Sequence, residues 1–204
     1  MQTIEQDIAA ITEVRRELRR LLKSSNPDEV SRRMKYSTAI HEASHYVVFR
    51  RLFPDARCTS LQVIDEANGR ISHKGLKIGN DRRRQARSAA YSLAGYAGEM
   101  ELGLHTRKFL VQCCATDFTK ADKTIRDLGL DPNRLFRASR RYVADEWDVI
   151  EEVAKALVTQ GKLTGKEAAE IYSAAKSKTK NKGKKHANRD SKSNRIKRVR
   201  GSHV

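Results

Sequence analysis

Residues 36–53 read YSTAIHEASHYVVFRRLF and are closed by Pro54. Ala39, Ile40, Ala43, Val47 and Val48 recur at the spacing that gives a helix a buried stripe, and a proline beyond the last residue ends it. Set into that stripe is HEASH, 41–45. On a helix of 3.6 residues per turn, positions i and i+4 share a face. His41 and His45 can therefore offer ring nitrogens to one metal ion, with Glu42 beside them to take a proton from a water that the metal acidifies. Two imidazoles and a carboxylate are costly to bury unless something pairs with them, and a divalent cation supplies that partner. The competing reading is a chance match, since only three of the five positions are fixed. A catalytic zinc site takes three protein ligands. His73, His105 and several carboxylates are candidates for the third, and spacing does not choose among them.

Upstream, Ile4, Ile8, Ile11, Val14, Leu18 and Leu21 keep the period of an amphipathic helix over residues 1–30, which would pack on the domain or join two chains. Asn26-Pro27 reads as a cap and first-turn pair for a new helix. Downstream, SLQVID (60–65), Asn68-Gly69 and RISHKGL predict a β-hairpin. An extended peptide could add to its edge, unless it is a structural hairpin only. Helices are expected over 82–103, from Asp117 to Gly129, over 134–160 and over 165–175, with 104–116 irregular. The fold class is mainly α with a small β-hairpin, and the core domain spans 31–176.

Composition narrows the partners. Hydrophobic residues make up 38% and charged residues 33%, and no window has the roughly 20 apolar residues of a membrane-spanning helix. The net charge of +17 is uneven: residues 176–200 hold twelve Lys or Arg against Asp190, leaving +6 for the rest. Residues 177–204 are thus expected to form a disordered basic tail, able to contact nucleic acid or anionic surfaces without sequence preference, since it has no aromatic residue. Cys58, Cys113 and Cys114 are odd in number and imply no disulfide scaffold, and MQTIEQDIAA has no secretory pattern, so a cytoplasmic location is expected.

Several segments together resemble one family. HEASHYVV is similar to the zinc-binding helix of the FtsH-type ATP-dependent metalloproteases. LAGYAGEMELG (93–103) resembles their small-residue helix with paired glutamates, and CCATDFTKADKTI (113–125) resembles the segment whose Asp completes the zinc site. The stretch from Phe136 to Tyr172 is similar to their closing helices, so the likeness runs in order over 36–172. It implies a zinc endopeptidase with one zinc per chain: His41, His45 and Asp117 as ligands, Glu42 as catalytic base, and Glu99 beside a ligand histidine. Its substrates would be unfolded or flexible proteins. Without the resemblance, Asp117 reads as a helix N-cap and Glu99 as an exposed carboxylate.

The chain departs from that family in places. Ser44 stands where a glycine is usual, Gly98 where the first acid of the pair is usual, and no G-x-x-x-x-G-K-[ST] loop occurs. A separate ATPase would have to supply any unfolding force. The alternative function is a catalytically retired adaptor of protease fold that binds nucleic acid or a protein partner through its tail.

Overall fold

The computed structural model describes residues 26–179, a mainly helical domain with one small antiparallel sheet. The expected N-terminal helix up to residue 25, and the tail from 180 onward, lie outside the described residues. The first helix, α1, runs unbroken over Pro27–Leu52. The sequence reading had a helix start at Asn26-Pro27 and another at 36. The two are one, because residues 28–35 contain no breaker and the Glu29–Arg33 pair, 2.8 Å, braces that turn. Asn26 caps it by accepting from the Asp28 N–H at 3.0 Å.

Ala39, Ile40, Ala43, Tyr46, Val47, Val48 and Phe49 are all fully buried, so α1 is the central pillar. Around it pack β1 (Arg57–Val63), β2 (Gly69–Lys74), α2 (Arg82–Ser92), α3 (Ala94–Leu102), α4 (Arg107–Cys113), α5 (Ala115–Leu128), α6 (Pro132–Asp145), α7 (Trp147–Gln160), β3 (Lys162–Thr164) and α8 (165–179). The hairpin is present and its sheet has the order β2-β1-β3, the short third strand being unforeseen. Leu61 pairs with Ile71 on one side and Leu163 on the other, which turns this row of side chains toward α1. A bulge between Cys58 and Ser60 shifts the β1–β2 register, and β2 is left at an edge.

Four other boundaries differ from the sequence reading. The helix expected over 82–103 is two, broken at Leu93, and the one over 134–160 breaks at Glu146. Residues 104–116, expected to be irregular, contain α4, capped by Thr106. α8 continues to 179 rather than 175, because Ala175 is buried and Lys176 and Lys178 pair with Glu146, the N-cap of α7, and Glu152 within it.

Candidate metal centre

Helical spacing brings His41 and His45 to one face of α1, and α5 delivers Asp117 against both. His41 Nε2 lies 3.1 Å from His45 Nε2 and 3.1 Å from Asp117 Oδ2, and His45 Nε2 lies 3.0 Å from the same oxygen. The opposite ring nitrogens decide what these atoms are. His41 Nδ1 is 2.6 Å from Glu99 Oε1, and His45 Nδ1 is 3.0 Å from the Tyr91 carbonyl oxygen. A carboxylate and a carbonyl only accept, so each Nδ1 carries the proton and each neutral ring turns a lone pair inward on Nε2.

Three bare acceptors thus converge on one point. Such a set repels itself unless a proton or a cation lies between its members. A tetrahedral ion with bonds of about 2.0–2.1 Å spaces its ligand atoms about 3.3 Å apart, close to the spacing found here. His41, His45 and Asp117 accordingly form a group able to hold a metal. Asp117 is not the N-cap that the bare sequence allowed: Cys114 is at that position, and Asp117 sits one turn into α5 with its side chain on the histidines.

The supporting shell explains two features of the fold. The break at Leu93 leaves the Tyr91 carbonyl among the last of α2, where carbonyls lack helical partners, and His45 uses it. Nothing in the sequence marks a backbone carbonyl, and this partner was not foreseen. Glu99 is buried rather than exposed. It accepts from His41 through Oε1 and from the Ser37 hydroxyl through Oε2 at 3.0 Å. Cys114 sits with its Sγ 3.7 Å from Glu99 Oε1, and burial pushes its thiol pKa up, so it stays protonated as a donor. His41, Glu99 and Cys114 could also group around a metal, but among them the hydrogen bonds already use the Nδ1 proton and the carboxylate.

Glycines set the closeness of the helices. A Cβ at Gly95 would collide with the His41 ring, and one at Gly69 would come 2.5 Å from Glu42 Cγ. The two departures noted in the sequence prove to be neighbours: a Cβ at Gly98 would strike the Ser44 hydroxyl, so Ser44 fills the space that Gly98 leaves.

The charges follow this geometry. Burial alone would raise Asp117, but in the metal-free protein, where a proton takes the place of a cation among these atoms, hydrogen bonds and charge from His41 and His45 hold its carboxyl far below the usual range. Burial pulls His41 down, yet hydrogen bonds to Asp117, Cys114 and Glu99 outweigh it and set the metal-free imidazole well above its usual value. Burial raises Glu42, partly offset by the two histidines. That suits a base, which works best with a pKa near the working pH.

Glu42 and the three converging residues line a cleft of ≈ 770 Å³ between β2 on one side and α5 on the other. His73 and His105 line it too, but His73 stacks on Phe49 at 5.2 Å and His105 lies on Phe109 at 4.8 Å, and neither joins the converging group. Among the described residues no helix is long and apolar enough to cross a membrane. A scan against models of known protein families finds no match, and no curated protein matches the chain significantly.

Proposed function

We propose that this chain is a zinc-dependent endopeptidase acting on unfolded or flexible polypeptides. The observation that carries this reading is the inward turn of two Nε2 lone pairs and one carboxylate oxygen, with Glu42 on the same wall of an open cleft. The resemblance of residues 36–172 to the FtsH-type peptidase domains supports the choice of metal and reaction, since it implies these roles for the same five residues.

His41, His45 and Asp117 would hold the zinc. When bound, zinc polarises a peptide carbonyl and makes water acidic enough to attack near neutral pH. Glu42 takes the proton of the attacking water and returns it to the leaving amine. Glu99 and the Tyr91 carbonyl fix the tautomers that keep both Nε2 atoms free of protons. The outer edge of β2, unpaired among the described residues, borders the cleft, so an extended substrate can add to it as a further strand.

Metal analysis tests the assignment. The purified chain should carry about one zinc, Asp117→Ala should lose most of it, and Glu42→Gln should keep it. Glu99→Gln should weaken zinc binding roughly ten- to a hundredfold. Full zinc retention in Asp117→Ala, or zinc loss in Glu42→Gln, would contradict the roles given.

A further inference from the structure

The charge of the described domain is concentrated beside the cleft. Residues 26–179 hold 27 Lys or Arg and 20 Asp or Glu, a net +7. Residues 70–87 alone hold seven cations against one acid, Asp81, a net +6. This stretch is β2, the loop after it and the first turns of α2; Arg70, Ile71, His73, Leu76 and Ile78 of it line the cleft, and the rest adjoins them as a lip. Arg84 is engaged with Asp55 at 2.7 Å and Arg82 with the Leu128 carbonyl. Arg70, Lys74, Lys77, Arg83 and Arg87 are exposed and make no ion pair among the described residues.

Their placement is regular. Arg70 lines the cleft itself, and Lys74 and Lys77 flank Leu76 and Ile78, which also line it. Arg87 lies one turn before the cleft-lining Tyr91 on the same face of α2. From the opposite wall comes Lys120 of α5, 63% exposed, its Nζ 3.5 Å from Asp117 Oδ1. The charge of Lys120 reaches His73 across the gap and, after burial, helps to hold that imidazole below its usual value. The acids that line the cleft do not balance this lip. Glu99 and Asp117 are tied to the histidines and Glu42 is buried, which leaves Glu66 as the one exposed acid among those that line the cleft.

Resting on the peptidase reading above, we propose that the lip from Arg70 to Arg87 makes the cleft selective for acidic polypeptide segments. Substrate carboxylates would lie on Arg70, Lys74, Lys77 and Arg87 from one wall and on Lys120 from the other. A polypeptide fits better than a nucleic acid for two reasons. Arg70 and Lys74 lie on β2, whose outer edge pairs with no strand among the described residues and can match the N–H and C=O groups of an extended peptide. His73 is the one ring on this lip and already stacks one face on Phe49, so there is no succession of aromatic platforms of the kind that holds a run of bases.

The test uses the full-length Glu42→Gln protein, which binds without cutting. Two labelled unstructured peptides of equal length and apolar content are titrated, one with Glu and one with Lys at alternate positions. A single-stranded oligonucleotide of matching charge is the third probe. The same titrations are run on a protein that also carries Arg70→Glu, Lys74→Glu and Lys77→Glu. Both proteins keep the basic residues beyond 179, so the difference between them reports on the lip alone. Circular dichroism and zinc content serve as fold controls.

The acidic peptide should bind on the order of tenfold tighter than the basic one, and charge reversal should remove or invert that preference. Equal binding of the two peptides overturns the proposal, as does a preference that survives the reversal. An oligonucleotide held more tightly than the acidic peptide through the same three residues overturns it too. The two readings fail separately. Chelator-sensitive cutting with no acidic preference removes the lip's role and leaves the peptidase. Lip-dependent acidic binding by a zinc-loaded wild-type chain that never cuts does the reverse.

Discussion

His41 is the residue on which the centre turns, because its two nitrogens face a carboxylate on each side, Glu99 and Asp117. Without metal that arrangement attracts a second proton, and the linkage has a definite sign. A basic group whose folded pKa is raised stabilises the fold below its unfolded value, about 6.5, and loses that contribution as pH rises through the folded value. Asp117 acts in the opposite sense: its depressed pKa stabilises above about 3.9 and is lost as pH falls further. The metal-free protein should therefore be most stable between about pH 4 and 6.5 and should lose melting temperature on the alkaline side. Zinc replaces the His41 proton, so the alkaline decline should vanish in the loaded protein while zinc affinity climbs with pH. Melting curves from pH 4 to 9, with and without zinc, check this. An identical alkaline decline in both forms would count against a metal at these atoms.

Between elements, the crossing of α1 and α3 holds the site closed. Gly95 lets α3 approach until its backbone touches the His41 ring, and Gly98 leaves the pocket that Ser44 fills. Ser44 is fully buried, and its hydroxyl makes no hydrogen bond among the described residues. Ser44→Ala should consequently raise stability by about 1–3 kcal/mol, since a buried hydroxyl without a partner is a net cost. Gly98→Ala should lower it by a similar amount through overpacking, about 1–3 kcal/mol, and less when combined with Ser44→Gly. Gly95→Ala should lose zinc by displacing His41. Chemical denaturation of these variants, with their zinc content, separates the effects, and a stable, fully loaded Gly95→Ala would disprove the close-approach role.

The same crossing shows what the sequence made legible. The helical period around HEASH and the Asn26 cap were readable because local rules govern them. The hairpin read from Asn68-Gly69 bends instead at 65–67, where the Asp65 carboxylate accepts from the Ala67 and Asn68 N–H groups and Gly69 already opens β2. The breaks at Leu93 and Glu146 were not readable, since no proline or glycine marks either and packing alone selects them. The pairing of Ser44 with Gly98 was likewise hidden: each looked like a departure on its own, and only the crossing joins them. Asp117 was reached through resemblance, because nothing in its spacing favours it over His73 or His105.

For the molecule as a whole, a group of residues able to hold a metal opens onto a cleft bordered by β2, whose outer edge pairs with no strand among the described residues. Such a cleft takes extended chain, and opening a compact domain to supply it costs on the order of 5–15 kcal/mol. The 204 residues contain no G-x-x-x-x-G-K-[ST] loop with which to couple that work to ATP. This chain by itself should therefore cut unfolded proteins, spare stable ones, and ignore ATP. The most direct measurement is the rate at which the zinc-loaded protein cleaves a casein-like unfolded chain, with and without a chelator, beside the Glu42→Gln variant. The expected result is cutting that chelation stops, that added zinc restores, and that Glu42→Gln reduces about a hundred- to ten-thousandfold while retaining its metal. Cutting that continues undiminished in Glu42→Gln, or no cutting by a wild-type chain holding one zinc, would contradict it.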